Sequence, residues 1–141
     1  MSNRILTVAI HDERKAELET ANRMIWQYCK KEGVPVEISC YHNEQDFFRN
    51  ISSRDFRAVF VAVRGAEDFH TAWRVRDYDK DCMLILVAED GEFGLMAYRL
   101  GGAQYLIRPL DDEKIAKAVT AARGANLKNN QEGTGNELIT G

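Results

Sequence analysis

Arg57-Ala58-Val59-Phe60-Val61-Ala62-Val63 starts on one charged residue and stops just before another, Arg64, with only apolar side chains between. A run of this length without polar alternation predicts a strand covered on both faces. Met83-Leu84-Ile85-Leu86-Val87 is uninterrupted in the same way. Outward from these two, strand-like and helix-like segments take turns. Arg4 to Ile10 and Val36 to Cys40 read as strands, and Tyr105 to Ile107 as a fifth. Glu13 to Lys31 changes to helical spacing, with Leu18, Ala21, Ile25 and Tyr28 on one face, Asp12 as its N-cap, and Gly33 and Pro35 as its stop. Asn43 caps a short helix through Phe48. Ala66 to Asp77 and Glu92 to Leu100 are helical, the second ending at Gly101-Gly102, which follows a helix and so reads as a cap and turn rather than a phosphate loop. Asp111 caps a last helix carrying Ile115, Val119 and Ala122. Strands alternating with helices imply an α/β fold: a doubly wound, five-stranded parallel sheet with five flanking helices and right-handed crossovers.

Composition narrows the classes. At 141 residues the chain fits one domain, and a net charge of -3 with 45% hydrophobic residues is that of an ordinary globular protein. That charge argues against direct nucleic-acid binding by this segment. No apolar run approaches the roughly 20 residues that span a bilayer, and the opening residues lack a secretory pattern, so the expected compartment is the cytoplasm. Cys29, Cys40 and Cys82 have neither disulfide nor zinc spacing and read as simple thiols. Trp26 and Trp73 are accounted for by helix packing. After Arg123 the composition turns to Gly, Asn, Gln and Thr, so residues 1–123 form the expected domain and 124–141 a flexible linker or tail.

Ala97-Tyr98-Arg99-Leu100-Gly101-Gly102-Ala103-Gln104-Tyr105-Leu106-Ile107-Arg108-Pro109-Leu110, taken with the Arg57–Val63 strand, resembles the receiver (CheY-like) domain of bacterial response regulators in two-component systems. The pattern is closest to receivers that precede LytTR-type DNA-binding domains, and it covers Arg4 to Arg123. The resemblance implies a flavodoxin-like sheet and a site at its edge. In that family the third strand ends in an aspartate that accepts phosphate, and Ala62 holds that position here. A methyl group offers no nucleophile. Two acids that hold magnesium end the first strand in the family; here the place reads His11-Asp12-Glu13, so that Asp12 is a remnant ligand at most. Ala88 replaces a phosphate-bonding hydroxyl, Arg108 replaces a lysine before a cis proline, and Tyr105 takes the place of the aromatic that responds to phosphorylation. The loop Val63-Arg64-Gly65-Ala66 lacks the family's punctuation.

The resemblance therefore implies a pseudo-receiver: no enzyme, no cofactor, no metal. Arg108 is expected to pair with Asp12 or Glu13, and His11 to be a hydrogen-bonded residue at the strand end. Arg64 and Arg108 read most plainly as solvated arginines, and otherwise, with His11, as a group that attracts an anion. Partner contacts are expected on the fourth helix, fifth strand and fifth helix, through Phe93, Met96, Tyr98, Arg99, Tyr105, Lys114 and Lys117. The partner is a second copy, an attached output domain of a transcription regulator, or a histidine kinase. The competing reading is a sensor that binds a small molecule or anion in the vacated pocket.

Overall fold

The computed structural model describes residues 4–130. Its elements are β1 (Leu6–His11), α1 (Lys15–Glu32), β2 (Val36–Tyr41), α2 (Glu44–Ser53), β3 (Ala58–Val63), α3 (Ala66–Tyr78), β4 (Met83–Ala88), α4 (Gly94–Tyr98), β5 (Gln104–Ile107) and α5 (Asp112–Asn130). The strands form one parallel sheet in the order β2-β1-β3-β4-β5. This is the doubly wound fold expected from the sequence, with β3 at its centre and buried along its whole length.

Alternate strand residues face opposite layers. Val8, Ile10, Ala58, Phe60, Ile85, Val87 and Leu106 pack with α1 and α5 residues such as Ile25 and Ile115. Ala9, Val59, Val61, Leu84 and Leu86 pack with Phe47, Phe69, Val75 and Ala97 on the α2, α3 and α4 side. The sheet thus divides two cores, and the loops after its strands gather at one edge.

Local chemistry accounts for the boundaries, with departures at α1 and α5, and with α2 running on to Ser53, past its expected end at Phe48. Gly33 ends α1 in the left-handed region (φ 72), and Gly101 and Gly102 turn the chain after α4 with φ 75 and 81. Asn43 Oδ1 accepts the Asp46 N–H at 2.8 Å, and Asp111 Oδ1 accepts that of Lys114 at 2.8 Å, so both expected caps are present. Asp12, however, does not cap α1. The N-cap is Arg14, and Asp12 Oδ1 accepts the Arg14 N–H at 2.9 Å, which turns the chain before the helix begins. The last helix also continues past the expected boundary at Arg123, to Asn130. Ala125, Leu127 and Lys128 favour helix, and the single Gly124 weakens it by only about 1 kcal/mol. Residues 131–141 of the expected tail lie outside the described residues.

Replacing Asn43 with Ala will remove the cap of α2 and cost about 1 kcal/mol of stability in urea unfolding. Ser52→Ala on the exposed side of the same helix will stay within about 0.5 kcal/mol of the parent.

Candidate functional site

The register fixes what meets at the C-terminal edge of the sheet. His11 lies opposite Val61, Val63 opposite Ala88, and Ala88 opposite Ile107. One residue further on, Asp12 comes beside Ala62, and the Arg108 N–H donates to the Ala88 carbonyl at 2.8 Å. By strand alternation Asp12, Ala62, Arg64 and Arg108 share the face of the sheet that carries α1 and α5. Ala62 sits among them as a buried methyl.

Asp12 is the centre of the group, and its side chain is only 3% exposed. Arg64 grips it bidentately, Nη1 donating to Oδ1 at 2.8 Å and Nη2 to Oδ2 at 3.0 Å. Arg108 adds a third bond, from Nη2 to Oδ2 at 3.1 Å, while its Nη1 donates to Glu17 Oε1 at 2.8 Å. Paired forks of this kind are the strong form of ion-pair hydrogen bond. Hydrogen bonding to Asp12 holds the Arg64 guanidinium above its usual pKa, against the opposing effect of burial. Glu89 completes the cluster, with Oε2 3.5 Å from Arg64 Nε and 3.3 Å from Arg108 Nε. Arg64 is thus not a solvated arginine: it is as enclosed as Arg108, each side chain 15% exposed. A loop residue after a strand carries no sequence signal of where its long side chain folds back. Glu13 does not take part. It is exposed, and Glu17, in the first turn of α1, meets Arg108 instead.

His11 also departs from expectation. Its ring is buried at the end of β1, 2% exposed, and lies on Phe47 with centroids 4.8 Å apart. Neither ring nitrogen makes a hydrogen bond. The strand end directs the ring toward α2, whose nearest face is aromatic. Burial pushes its pKa below the ordinary 6.5, partly offset by Glu44, Asp68, Glu13 and Asp12.

The donor set does not fit magnesium, which asks for about six oxygens in near-octahedral array. Asp12 offers the one enclosed carboxylate here and both its oxygens accept guanidinium N–H groups. Ala62 and His11, also at this edge, supply no carboxylate.

Tyr105 is held on the opposite face. Its hydroxyl donates to the Asp90 carbonyl at 2.6 Å and accepts the Phe93 N–H at 3.2 Å, which fixes the ring against the β4–α4 loop. Of the expected contact residues, Met96, Tyr98, Arg99 and Lys117 are exposed. Phe93 instead stacks on Phe69 at 5.8 Å, and the Lys114 ammonium is tied to the Ile107 and Pro109 carbonyls. Leu95 (68% exposed) and Ile107 stand out beside Tyr98 (81%), and neither is singled out by the sequence pattern. Trp26 and Trp73 are about half exposed, off the packed faces of their helices. The Arg108–Pro109 peptide is cis.

No protein-family model and no curated protein sequence matches the chain. Solved structures do. A response regulator from Thermotoga maritima superposes with a TM-score of 0.71 at 19% identity, over 86% of this chain and 99% of that one. A CheY-like response regulator receiver domain from Methanospirillum hungatei gives 0.68 at 14% identity, over 91% and 99%. A structure described as an adenylate cyclase from Rhodopirellula baltica gives 0.72 at 14%, over 92% and 96%. At these identities the likeness establishes the CheY-like, flavodoxin-like fold.

The buried His11 makes the stability of the fold depend on pH. Its folded-state pKa is lowered, so its neutral form is favoured by folding. The associated stability is complete above pH 6.5 and falls as the pH drops from there toward the lowered value, by at most about 1.4 kcal/mol per pH unit. Urea unfolding between pH 7.5 and 5 will show this loss in the parent. It will be smaller in His11→Phe, which keeps the ring on Phe47 and removes the titration. Parallel profiles for the two proteins would contradict it.

Proposed function

We propose that this chain is a signal-transduction module of pseudo-receiver type that works through protein contacts and not through phosphoryl transfer. The observation that carries the reading is the pairing of Asp12 with Arg64 and Arg108 beside the methyl of Ala62. Phosphoryl transfer to protein needs a nucleophile and stabilisation of the charge on the transferred group. Guanidiniums are present at this edge, but Ala62 supplies no oxygen to attack phosphorus. The positive groups are instead engaged with Asp12, Glu17 and Glu89. What the family's chemistry would assemble transiently is replaced by a standing ionic cluster.

The contact surface on this reading is the α4–β5–α5 face. Leu95, Met96, Tyr98 and Ile107 expose apolar surface there, with Arg99 and Lys117 nearby. Aromatic and arginine side chains are the residue types that most often anchor interfaces. Ala88 has no hydroxyl to relay a phosphoryl signal, and Tyr105 is already bonded to the β4–α4 loop. The face is accordingly held in one arrangement. A second copy of the chain or an output domain is the fitting partner, in a cytoplasmic regulator.

Acetyl phosphate with magnesium will add no acid-labile phosphoryl mass to the intact protein, and Ala62→Asp alone will not restore full reactivity because Arg64 and Arg108 still cover Asp12. Appearance of a phosphoryl adduct on the parent would overturn the reading. Sedimentation equilibrium tests the surface: Leu95→Asp with Tyr98→Asp will weaken self-association at least tenfold while leaving the unfolding midpoint within the range of surface substitutions. Equal association of parent and variant would remove this face as the self-contact.

A further inference from the structure

The ionic cluster is saturated at its centre and incomplete at its rim. The Nη atoms of Arg64 and Arg108 are used on Asp12 and Glu17. Their Nε atoms are not: both are buried, and neither completes a hydrogen bond. Yet both nitrogens lie close to one oxygen, Glu89 Oε2, at 3.5 and 3.3 Å. Two rigid N–H donors thus converge on a single carboxylate oxygen that satisfies neither in line. Glu89 is also the most exposed acid of the cluster. Its side chain is 50% exposed, against 3% for Asp12, and among the described residues it accepts no hydrogen bond.

Charge points the same way. Asp12 and Glu17 balance the two guanidiniums, and Glu89 is the surplus anion. Exchanging its carboxylate for that of another anion leaves the cluster's charge close to what it was. A ligand with two oxygens on one edge can accept one Nε–H on each, which the shared Glu89 oxygen does not achieve. Ala62 places no competing carboxylate beneath.

We propose that Arg64 and Arg108 form a binding site for a small oxyanion, with Glu89 as a tethered occupant that the ligand displaces. The ligand class is an anion presenting an XO2 edge, as phosphate, sulfate and carboxylates do. Displacing Glu89 reaches the surface described above, because the next residue, Asp90, holds the Tyr105 hydroxyl through its carbonyl. The binding step itself does not depend on the contact reading. A tethered group competes at an effective concentration of about millimolar or more, so the parent binds weakly and removal of the tether tightens it.

The test follows the arginine Nε–H resonances of the full chain by NMR during titration with inorganic phosphate, sulfate and acetate, against sodium chloride at matched ionic strength. In Glu89→Ala the Arg64 and Arg108 signals will shift saturably, with an apparent affinity at least tenfold tighter than in the parent. Strongest binding by phosphate or sulfate assigns a tetrahedral anion, and strongest binding by acetate a carboxylate. Shifts that chloride reproduces, no saturation in Glu89→Ala, or equal affinity in parent and variant would each overturn the proposal. Self-association is not read in this experiment, so its failure leaves the contact surface untouched.

Discussion

A carboxylate as enclosed as that of Asp12 stays charged only if something nearby replaces the water it has lost. The penalty for burying an unpaired ion is several kcal/mol even after the protein relaxes. Here the replacement is three guanidinium N–H bonds and one backbone N–H, from Arg64, Arg108 and Arg14. Because Asp12 stands at the C-terminal edge of the central strands, satisfying it commits the loops around it. Arg64 brings in the β3–α3 loop, Arg108 the β5–α5 loop, Glu17 the first turn of α1, and Glu89 the β4–α4 loop.

That commitment spreads to the proposed contact face through backbone groups. The β4–α4 loop that carries Glu89 also holds Tyr105 by its hydroxyl. On the far side of α4, Arg76 donates to the carbonyls of Leu100, Gly101 and Cys82, pinning the turn that follows α4 to the loop that precedes β4. A short helix with only Ala97 buried has little packing of its own, so these polar ties position Tyr98 and its neighbours. The buried His11 on Phe47 plays a comparable part at the other end of the edge, where it fills space between β1 and α2 without a hydrogen bond.

The fold was legible because its signals are local. Apolar runs such as Val59–Val63, Gly33 after a helical stretch, and Asn43 or Asp111 before one act over a few residues. The centre of the site was legible too, since parallel topology alone brings Asp12, Ala62, Ala88 and Arg108 to one edge. The rest depends on where long side chains come to rest. Arg64 reaches back over β3 to Asp12, and Glu17 displaces Glu13 as the partner of Arg108, because Glu17 lies inside the first turn of α1 whereas Glu13 stands exposed in the turn before it. The charge pattern did hold one unused hint: Glu89 directly follows a buried strand, where an acid lands beside the arginines of neighbouring loops. Leu95 and Ile107 escaped notice because single apolar residues on a surface have no periodic signature.

The claim on which the account turns is that Asp12 and Arg64 stabilise the fold as a pair and not as separate residues. A double-mutant cycle measures this directly, using urea unfolding of the parent, Asp12→Asn, Arg64→Met and the double variant. Asp12→Asn retains an oxygen for the Arg14 N–H and removes the charge. Each single change will cost about 3 kcal/mol, since each leaves a buried charge with reduced compensation. The double variant will cost at least about 2 kcal/mol less than the sum of the two. Additivity within about 0.5 kcal/mol would mean that the two side chains act independently, and would contradict the account.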